Sequence, residues 1–241
     1  MSTRQKRDGH GWWPYLGPYI AFLLSAQISG ELPDAWQPAL LIIKPAIPFG
    51  LILYFAAQGR YATEWASVQF RPLWALLDIA VGLALTVVWM APYLLIDSMP
   101  RPDPEDGFDI HMAGESMAFT ILLMRMFGYA IVTPIFEEIF IRSFVLRYAD
   151  CYLRSGDFRD IPLARYSLRS FVSTSIIFTM GHNPWEWWVC LPWVAASTGW
   201  FYLRKDMGST VLVHATTNAS ILIYVYVVTG GVPGLPLWVF V

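Results

Sequence analysis

The chain alternates between long apolar runs and short polar connections. Seven of the runs are long enough, or nearly so, to cross a hydrocarbon layer of about 30 Å as helices. They cover about 14–29, 39–57, 72–96, 117–146, 169–183, 185–203 and 208–229. This pattern predicts an all-α fold, a polytopic integral membrane helical bundle with about seven transmembrane helices.

The two longest polar connections follow the third and fourth apolar runs. The first, SMPRPDPEDGFDIHMAGES, is rich in Pro, Gly and Asp, which interrupt regular structure. We therefore divide one membrane domain at this connection. Residues 1–116 form a predicted N-terminal three-helix segment, and residues 117–230 form a predicted four-helix core.

The positions of Lys and Arg predict the orientation of the helices, because cytoplasmic loops collect these residues. Of the 16 Lys and Arg residues, three lie within the predicted spans. Only Arg101 lies on the side that an inside N-terminus places outside the cell. The other twelve share the opposite side: Arg4, Lys6, Arg7, Arg60, Arg71, Arg147, Arg154, Arg159, Arg165, Arg169, Arg204 and Lys205. The N-terminus is therefore predicted to be cytoplasmic.

Composition agrees with a location in a lipid bilayer. Hydrophobic residues make up 56% of the chain, charged residues make up 14%, and the mean hydropathy is +0.46. The net charge of −2 and the lack of a basic stripe argue against a nucleic-acid partner. Cys151 and Cys190 are far apart in the sequence, so we interpret both as packing residues and not as a disulfide or a metal site.

Several ionisable residues interrupt the apolar runs. They are Lys44, Asp78, Arg125, Glu137, Glu138, Arg142 and His214, with His182 near the end of its run. A charge in mid-bilayer costs at least about 2.5 to 3.5 kcal/mol, so these side chains should face the protein interior. Glu138 and Arg142 are four residues apart and predict an ion pair on one helix face. Glu137 lies about 100° around the helix from Glu138, so it faces different surroundings.

Two histidines have polar or aromatic companions at helical spacing. Phe178 precedes His182 by four residues, and Asn218 follows His214 by four. Either histidine alone is explained by hydrogen bonds between helices. However, helix rise places Glu137, His182 and His214 at similar depths, about 15, 20 and 14 Å from the nearest cytoplasmic cation. Their common depth predicts a buried polar reaction site.

Three motifs occur in order on successive predicted helices: E-E-x-x-x-R (Glu137, Glu138, Arg142), F-x-x-x-H (Phe178, His182) and H-x-x-x-N (His214, Asn218). Together they resemble the CAAX protease and bacteriocin-processing family of intramembrane proteases, over about 117–228. The length and the Trp-rich start are similar to a bacterial branch that accompanies the exosortase/PEP-CTERM sorting system. The resemblance implies a protein of the bacterial inner membrane that acts on a membrane-anchored or tailed protein substrate.

The family resemblance also implies residue roles. Glu137 with His182 would activate a water molecule as general base, and the water would attack a peptide bond. His214 and Asn218 would donate hydrogen bonds to the oxyanion. Glu138, Arg142 and Phe178 would support these residues. The core over 117–230 would then be the catalytic part of the chain, and the protein would be an intramembrane endopeptidase.

Other mechanisms and functions stay open on the same residues. The chain lacks H-E-x-x-H, G-x-S-G and G-x-G-D, which disfavours known zinc, serine and aspartyl intramembrane proteases. No cofactor is firmly implied, although Glu137, His182 and His214 could hold a zinc ion with one open position. A proton or ion transporter could use Lys44, Asp78, Arg125 and Glu137 as a relay. A non-catalytic membrane adaptor is the third possibility.

Overall fold

A computed structural model describes residues 11–101, 109–154 and 156–228. Within these ranges the chain is helical and contains no strand, which confirms the all-α prediction. We number eight helices in chain order. They are α1 (Trp13–Gly30), α2 (Gln37–Ala57), α3 (Ala62–Ser67), α4 (Pro72–Leu95), α5 (Glu115–Cys151), α6 (Leu168–Met180), α7 (Trp187–Arg204) and α8 (Met207–Ile223).

The apolar runs located the long helices to within a few residues. Each of the seven runs coincides with one helix, and only the short α3 was not predicted. By length and composition, α2, α4 and α5 can cross a membrane, whereas α6 is a shorter apolar helix. The protein is thus an apolar helical bundle suited to a membrane. The number of seven spans, the cytoplasmic N-terminus and the domain division at residue 116 stay predictions.

Helix α5 is continuous but not uniform. Two stretches of wider π-helical turns, Phe127–Val132 and Ile139–Val145, flank the α-helical segment Thr133–Glu138. Pro134 has no N–H and its ring crowds the carbonyl four residues before it, which explains why the first wide turn lies directly upstream. Glu137 and Glu138 therefore lie between two irregular turns, an arrangement that often accompanies functional sites.

Helices α4 and α8 pack closely because Gly82 has no side chain. A Cβ atom at Gly82 would lie 2.6 Å from Thr216 Cβ and 2.8 Å from the Val213 carbonyl oxygen. Thr217 on α8 also donates a hydrogen bond of 3.2 Å to the Gly82 carbonyl. This contact joins the predicted N-terminal segment to the predicted core.

Two buried ion pairs hold other helices together. Asp78 on α4 accepts hydrogen bonds from Trp200 Nε1 (2.8 Å), Arg204 Nε (3.1 Å) and Ser209 Oγ (2.6 Å). We refer to these four residues as the Asp78 cluster. It connects α4 to the end of α7 and the start of α8.

The second ion pair joins the unpredicted α3 to the end of α5. Glu64 lies 2.7 Å from Arg147 Nη2, and both side chains are buried. Tyr15 donates a hydrogen bond of 3.1 Å to Glu64, and Ser143 donates another. Arg147 was predicted to be one of the loop cations, so its buried position differs from the prediction. Cys151 and Cys190 are both buried and free, as predicted.

Candidate active site

A cavity of about 420 Å³ lies within the bundle, toward the turn that joins α6 to α7. It contains five of the seven residues singled out from the motifs: Glu137, Phe178, His182, His214 and Asn218. The rest of its wall consists of Phe22, Ala26, Leu41, Lys44, Pro45, Trp89, Met124, Arg125, Gly128, Tyr129, Thr133, Gly181, Asn183, Trp185, Glu186, Trp193, Thr217 and Ile221. The motif residues lie on or next to α5, α6 and α8, and the fold brings them together around this one cavity.

Helix α5 presents a polar stripe to the cavity. Arg125, Tyr129, Thr133 and Glu137 follow each other in steps of four and all line the cavity. In a regular α-helix such steps drift by about 40° each, which would turn one end of the stripe away. The π-helical turns at Phe127–Val132 wind more slowly and offset this drift. The irregular turn therefore keeps the stripe on one wall.

Glu138 faces away from the cavity and binds the residues behind it. Its side chain is fully buried, and Oε2 lies 3.0 Å from Arg142 Nε, which confirms the predicted ion pair. Thr210 donates a hydrogen bond of 2.9 Å to Oε2, and His214 Nδ1 lies 2.9 Å from Oε1. Both carboxylate oxygens of Glu138 are thus engaged by α5 and α8.

Arg142 connects Glu138 to α7. Its Nη1 donates to Thr198 Oγ1 at 2.6 Å, and its Nη2 donates to Ser197 Oγ at 2.7 Å. The guanidinium carbon also lies 6.0 Å from the centroid of the Phe178 ring. Ser197 and Thr198 were not predicted as site residues, although two adjacent hydroxyls within an apolar helix are a recognised sign of hydrogen bonds between helices.

The position of the His214 ring follows from its bond to Glu138. An ionised carboxylate only accepts hydrogen bonds, so Nδ1 carries the proton that it donates to Glu138. The opposite nitrogen, Nε2, then points toward Glu137 and lies 3.7 Å from its Oε2. This distance is too long for a hydrogen bond. Among the described residues, none forms a hydrogen bond with the Glu137 carboxylate, which is 14% exposed in the side chain.

His182 is held in the opposite way, by the backbone. Its Nδ1 lies 2.9 Å from the Phe178 carbonyl oxygen. Since a carbonyl only accepts, Nδ1 carries the proton, and Nε2 keeps a lone pair. The spacing F-x-x-x-H therefore fixes which ring nitrogen can accept a proton.

Aromatic rings surround the two histidines. Trp89 lies 5.6 Å from His182, and Trp193 lies 4.8 Å from His214, between ring centroids. Trp193 also stacks on Phe178 at 5.2 Å. Neither Trp89 nor Trp193 was predicted as a site residue. A usable signal was present, because both lie inside predicted spans, whereas interfacial tryptophans lie at the ends.

Asn218 is oriented by the irregular turn of α5. Its Nδ2 donates a hydrogen bond of 2.9 Å to the Tyr129 carbonyl oxygen. An amide nitrogen carries two hydrogens, so one remains for a ligand. Asn218 lines the cavity on the same helix as His214.

The zinc and relay hypotheses both concern cavity residues. Within the described ranges, no group of three or more His, Cys, Asp and Glu side chains is arranged to hold a metal ion. Zinc binding by Glu137, His182 and His214 stays a hypothesis. For the relay, the cavity includes Lys44, Arg125 and Glu137 but not Asp78, which is bound within the Asp78 cluster.

Comparison with known proteins agrees with the motifs. Residues 119–220 match the family model described as type II CAAX prenyl endopeptidase Rce1-like. This match confirms the resemblance to the CAAX protease family and includes every motif residue. No curated protein and no solved structure matches the chain.

Proposed function

Because residues 119–220 match the Rce1-like type II CAAX prenyl endopeptidases, a family of proteases, we propose that this chain is an intramembrane endopeptidase in which Glu137 and His182 activate water. A water molecule in the cavity is held by the Glu137 carboxylate and by the lone pair on His182 Nε2. Glu137 removes a proton from the water, and the oxygen forms a bond to the carbonyl carbon of the substrate. The protonated Glu137 then gives this proton to the leaving amine as the C–N bond breaks.

The single observation that supports this assignment is the difference between two adjacent glutamates. Glu138 is bound by Arg142, His214 and Thr210, so it has no free lone pair facing a substrate. Glu137 accepts no hydrogen bond from the described residues and lines the cavity. A carboxylate that is free to accept a proton, in the same cavity as a histidine with a free lone pair, is what a general base requires.

His214 and Asn218 are proposed to stabilise the oxyanion that forms during the attack. His214 already donates from Nδ1 to Glu138, so it can donate from Nε2 only as an imidazolium. Asn218 would add its second amide hydrogen. One such donor is typically worth about 2.7 to 4 kcal/mol in the transition state.

The substrate is proposed to be a membrane-anchored or tailed protein, since the cavity lies among helices suited to a bilayer. We further propose the bacterial inner membrane as the location, with the N-terminus in the cytoplasm, on the asymmetry of Lys and Arg. A role beside an exosortase system is the narrower form of this proposal. It is supported by the length and the Trp-rich start of the chain.

The decisive experiment combines a cleavage assay with a metal analysis. Purified protein in detergent is incubated with lipid-tethered test peptides, and its metal content is measured in the same preparation. We expect cleavage without stoichiometric metal and no inhibition by chelators. About one equivalent of zinc, lost in His214→Ala and required for activity, would instead support a metal-bound water. Absence of any proteolysis across a broad set of tethered peptides would contradict the proposed function.

A further inference from the structure

We propose that a second pocket, at the edge of the bundle that is predicted to be cytoplasmic, binds the headgroup of an anionic phospholipid. We call it the interfacial pocket. Its volume is about 600 Å³, and among the described residues it shares none with the active-site cavity. It is lined by residues 11–16 around the start of α1, by Phe55, Gln58 and Arg60 at the end of α2, and by Arg159 between α5 and α6.

The turn that ends α2 shapes one wall of the interfacial pocket. Gly59 has a φ of +70°, a conformation that favours glycine, and its N–H donates a hydrogen bond of 2.9 Å to the Ala56 carbonyl oxygen. The Arg60 N–H donates a hydrogen bond of 3.1 Å to the Phe55 carbonyl oxygen. These two bonds form a Schellman motif, which ends a helix and folds the chain back over its last turn. The turn therefore brings Arg60 to the same wall as Phe55.

A buried network holds the opposite wall in place. Tyr15, at the start of α1, is buried and donates a hydrogen bond of 3.1 Å to Glu64, which pairs with Arg147 on α5. The Tyr15 hydroxyl oxygen also lies 3.4 Å from the Arg60 carbonyl oxygen, so the two walls meet at this group. A pocket held by such a network has its shape before a ligand arrives, which lowers the entropy cost of binding.

The charge of the interfacial pocket favours an anion. Within the described part of the chain, Arg60 forms no ion pair, and its Nε donates only a long hydrogen bond of 3.5 Å to Gln58 Oε1. Arg159 also lines the pocket, but its Nη2 lies 2.6 Å from Asp157 Oδ2, so its charge is already balanced. No acidic side chain of the described residues lines the pocket. Arg60 therefore supplies the positive charge that a ligand would contact.

The apolar part of the wall favours a lipid over a small soluble anion. Trp13 is 70% exposed at the end of an apolar run, the position typical of a tryptophan at a membrane surface. Exposed apolar side chains continue from the pocket along both helices, such as Ile20 on α1 and Leu53 on α2. A phospholipid would place its phosphate at Arg60 and its acyl chains along this surface. Anionic phospholipids belong to the cytoplasmic leaflet, the side on which the pocket is predicted to lie.

Lipid binding to the full-length protein in detergent tests the proposal. Phosphatidylglycerol and phosphatidylcholine with the same oleoyl chains are titrated separately, and native mass spectrometry counts the lipids bound at each concentration. Soluble glycerol phosphate is then added as a competitor, because it carries the phosphate without the acyl chains. None of these measurements involves peptide cleavage, so the result does not depend on the proposed function.

We expect one phosphatidylglycerol molecule to bind about fivefold more tightly than phosphatidylcholine, the effect of about one basic residue at a membrane surface. Arg60→Gln should abolish this preference, and Arg60→Lys should retain most of it. Arg71→Gln is the matched control, because Arg71 is an exposed arginine on the same predicted side and does not line the pocket. It should leave the preference unchanged.

Three results would overturn the proposal. Equal binding of the two lipids, or no binding of either, would show that the pocket does not select an anionic headgroup. An equal loss of preference in Arg60→Gln and Arg71→Gln would assign the effect to the general charge of this side. Displacement of the lipid by an equal concentration of glycerol phosphate would show that the site binds a soluble anion. Melting temperatures show that each variant is folded, and the comparison of lipids on wild-type protein decides the proposal if Arg60→Gln is not.

Discussion

Two carboxylates within the predicted spans have opposite surroundings. Asp78 accepts hydrogen bonds from Trp200, Arg204 and Ser209, and it lies outside the cavity. Glu137 lines the cavity and accepts none from the described residues. A charge at membrane depth is unfavourable for both side chains, but only for Asp78 is this offset by hydrogen bonds and an ion pair.

The difference separates a structural charge from a reactive one. The Asp78 cluster joins three helices, and removal of the carboxylate would take a hydrogen-bond acceptor from Trp200, Arg204 and Ser209. Glu137 instead holds no helix in place. Its surroundings leave its lone pairs available to a water molecule, while the adjacent Glu138 carries the structural contacts. The number of hydrogen bonds that each carboxylate accepts, more than its burial, distinguishes the structural site from the reactive one.

The largest loss of stability is expected at the structural side of this comparison. Arg142→Ala leaves the fully buried Glu138 without its cation and should cost about 3 to 5 kcal/mol, with reduced folded yield and activity. Arg165→Ala, at an exposed arginine, is the matched control and should be neutral. Chemical denaturation in detergent measures both. Normal yield and stability of Arg142→Ala would refute the ion-pair role.

The next largest effect should fall on turnover. Asn218→Ala removes one proposed oxyanion donor and should lower kcat about 10²- to 10³-fold with a smaller change in KM. It also removes the hydrogen bond to the Tyr129 carbonyl, so the melting temperature is recorded in parallel. A lower melting temperature with nearly unchanged kcat would show that Asn218 only holds α5 and α8 together.

A smaller effect is expected at the contact between α4 and α8, which supports both carboxylate sites. Gly82→Ala introduces a Cβ atom against Thr216 and the Val213 carbonyl and should destabilise the protein by about 1 to 3 kcal/mol. Gly199→Ala is the control, because a Cβ atom there has nothing within 4 Å. Equal free energies of unfolding for Gly82→Ala and Gly199→Ala would mean that α4 and α8 can move apart to fit the added methyl group without loss of stability.

The sequence allowed prediction of the long helices because length and hydrophobicity are local properties of each run. It did not reveal α3, whose six residues form no apolar run of their own. Glu64 on α3 pairs with Arg147, 83 residues away, and no spacing rule connects the two. For the same reason Arg147 was predicted to lie in a loop and is buried.

The candidate site was predictable to the extent that it uses helical spacing. Glu138 with Arg142, Phe178 with His182, and His214 with Asn218 are all four residues apart, so each pair shares a face. Trp89, Trp193 and the carbonyl of Tyr129 reach the site through packing between helices, which spacing does not encode. The π-helical turns also depend on this packing, although Pro134 gave a local indication of irregular backbone.

The most direct test of the account compares Glu137→Gln with Asp78→Asn in one series. Both replace a carboxylate with an amide of nearly the same shape. Glu137→Gln should melt at or above the wild-type temperature and cleave no substrate, because the amide cannot accept the proton from water. Asp78→Asn should melt lower, and its folded fraction should still cleave. A folded Glu137→Gln protein that retains cleavage activity would contradict the assignment of Glu137 as the base.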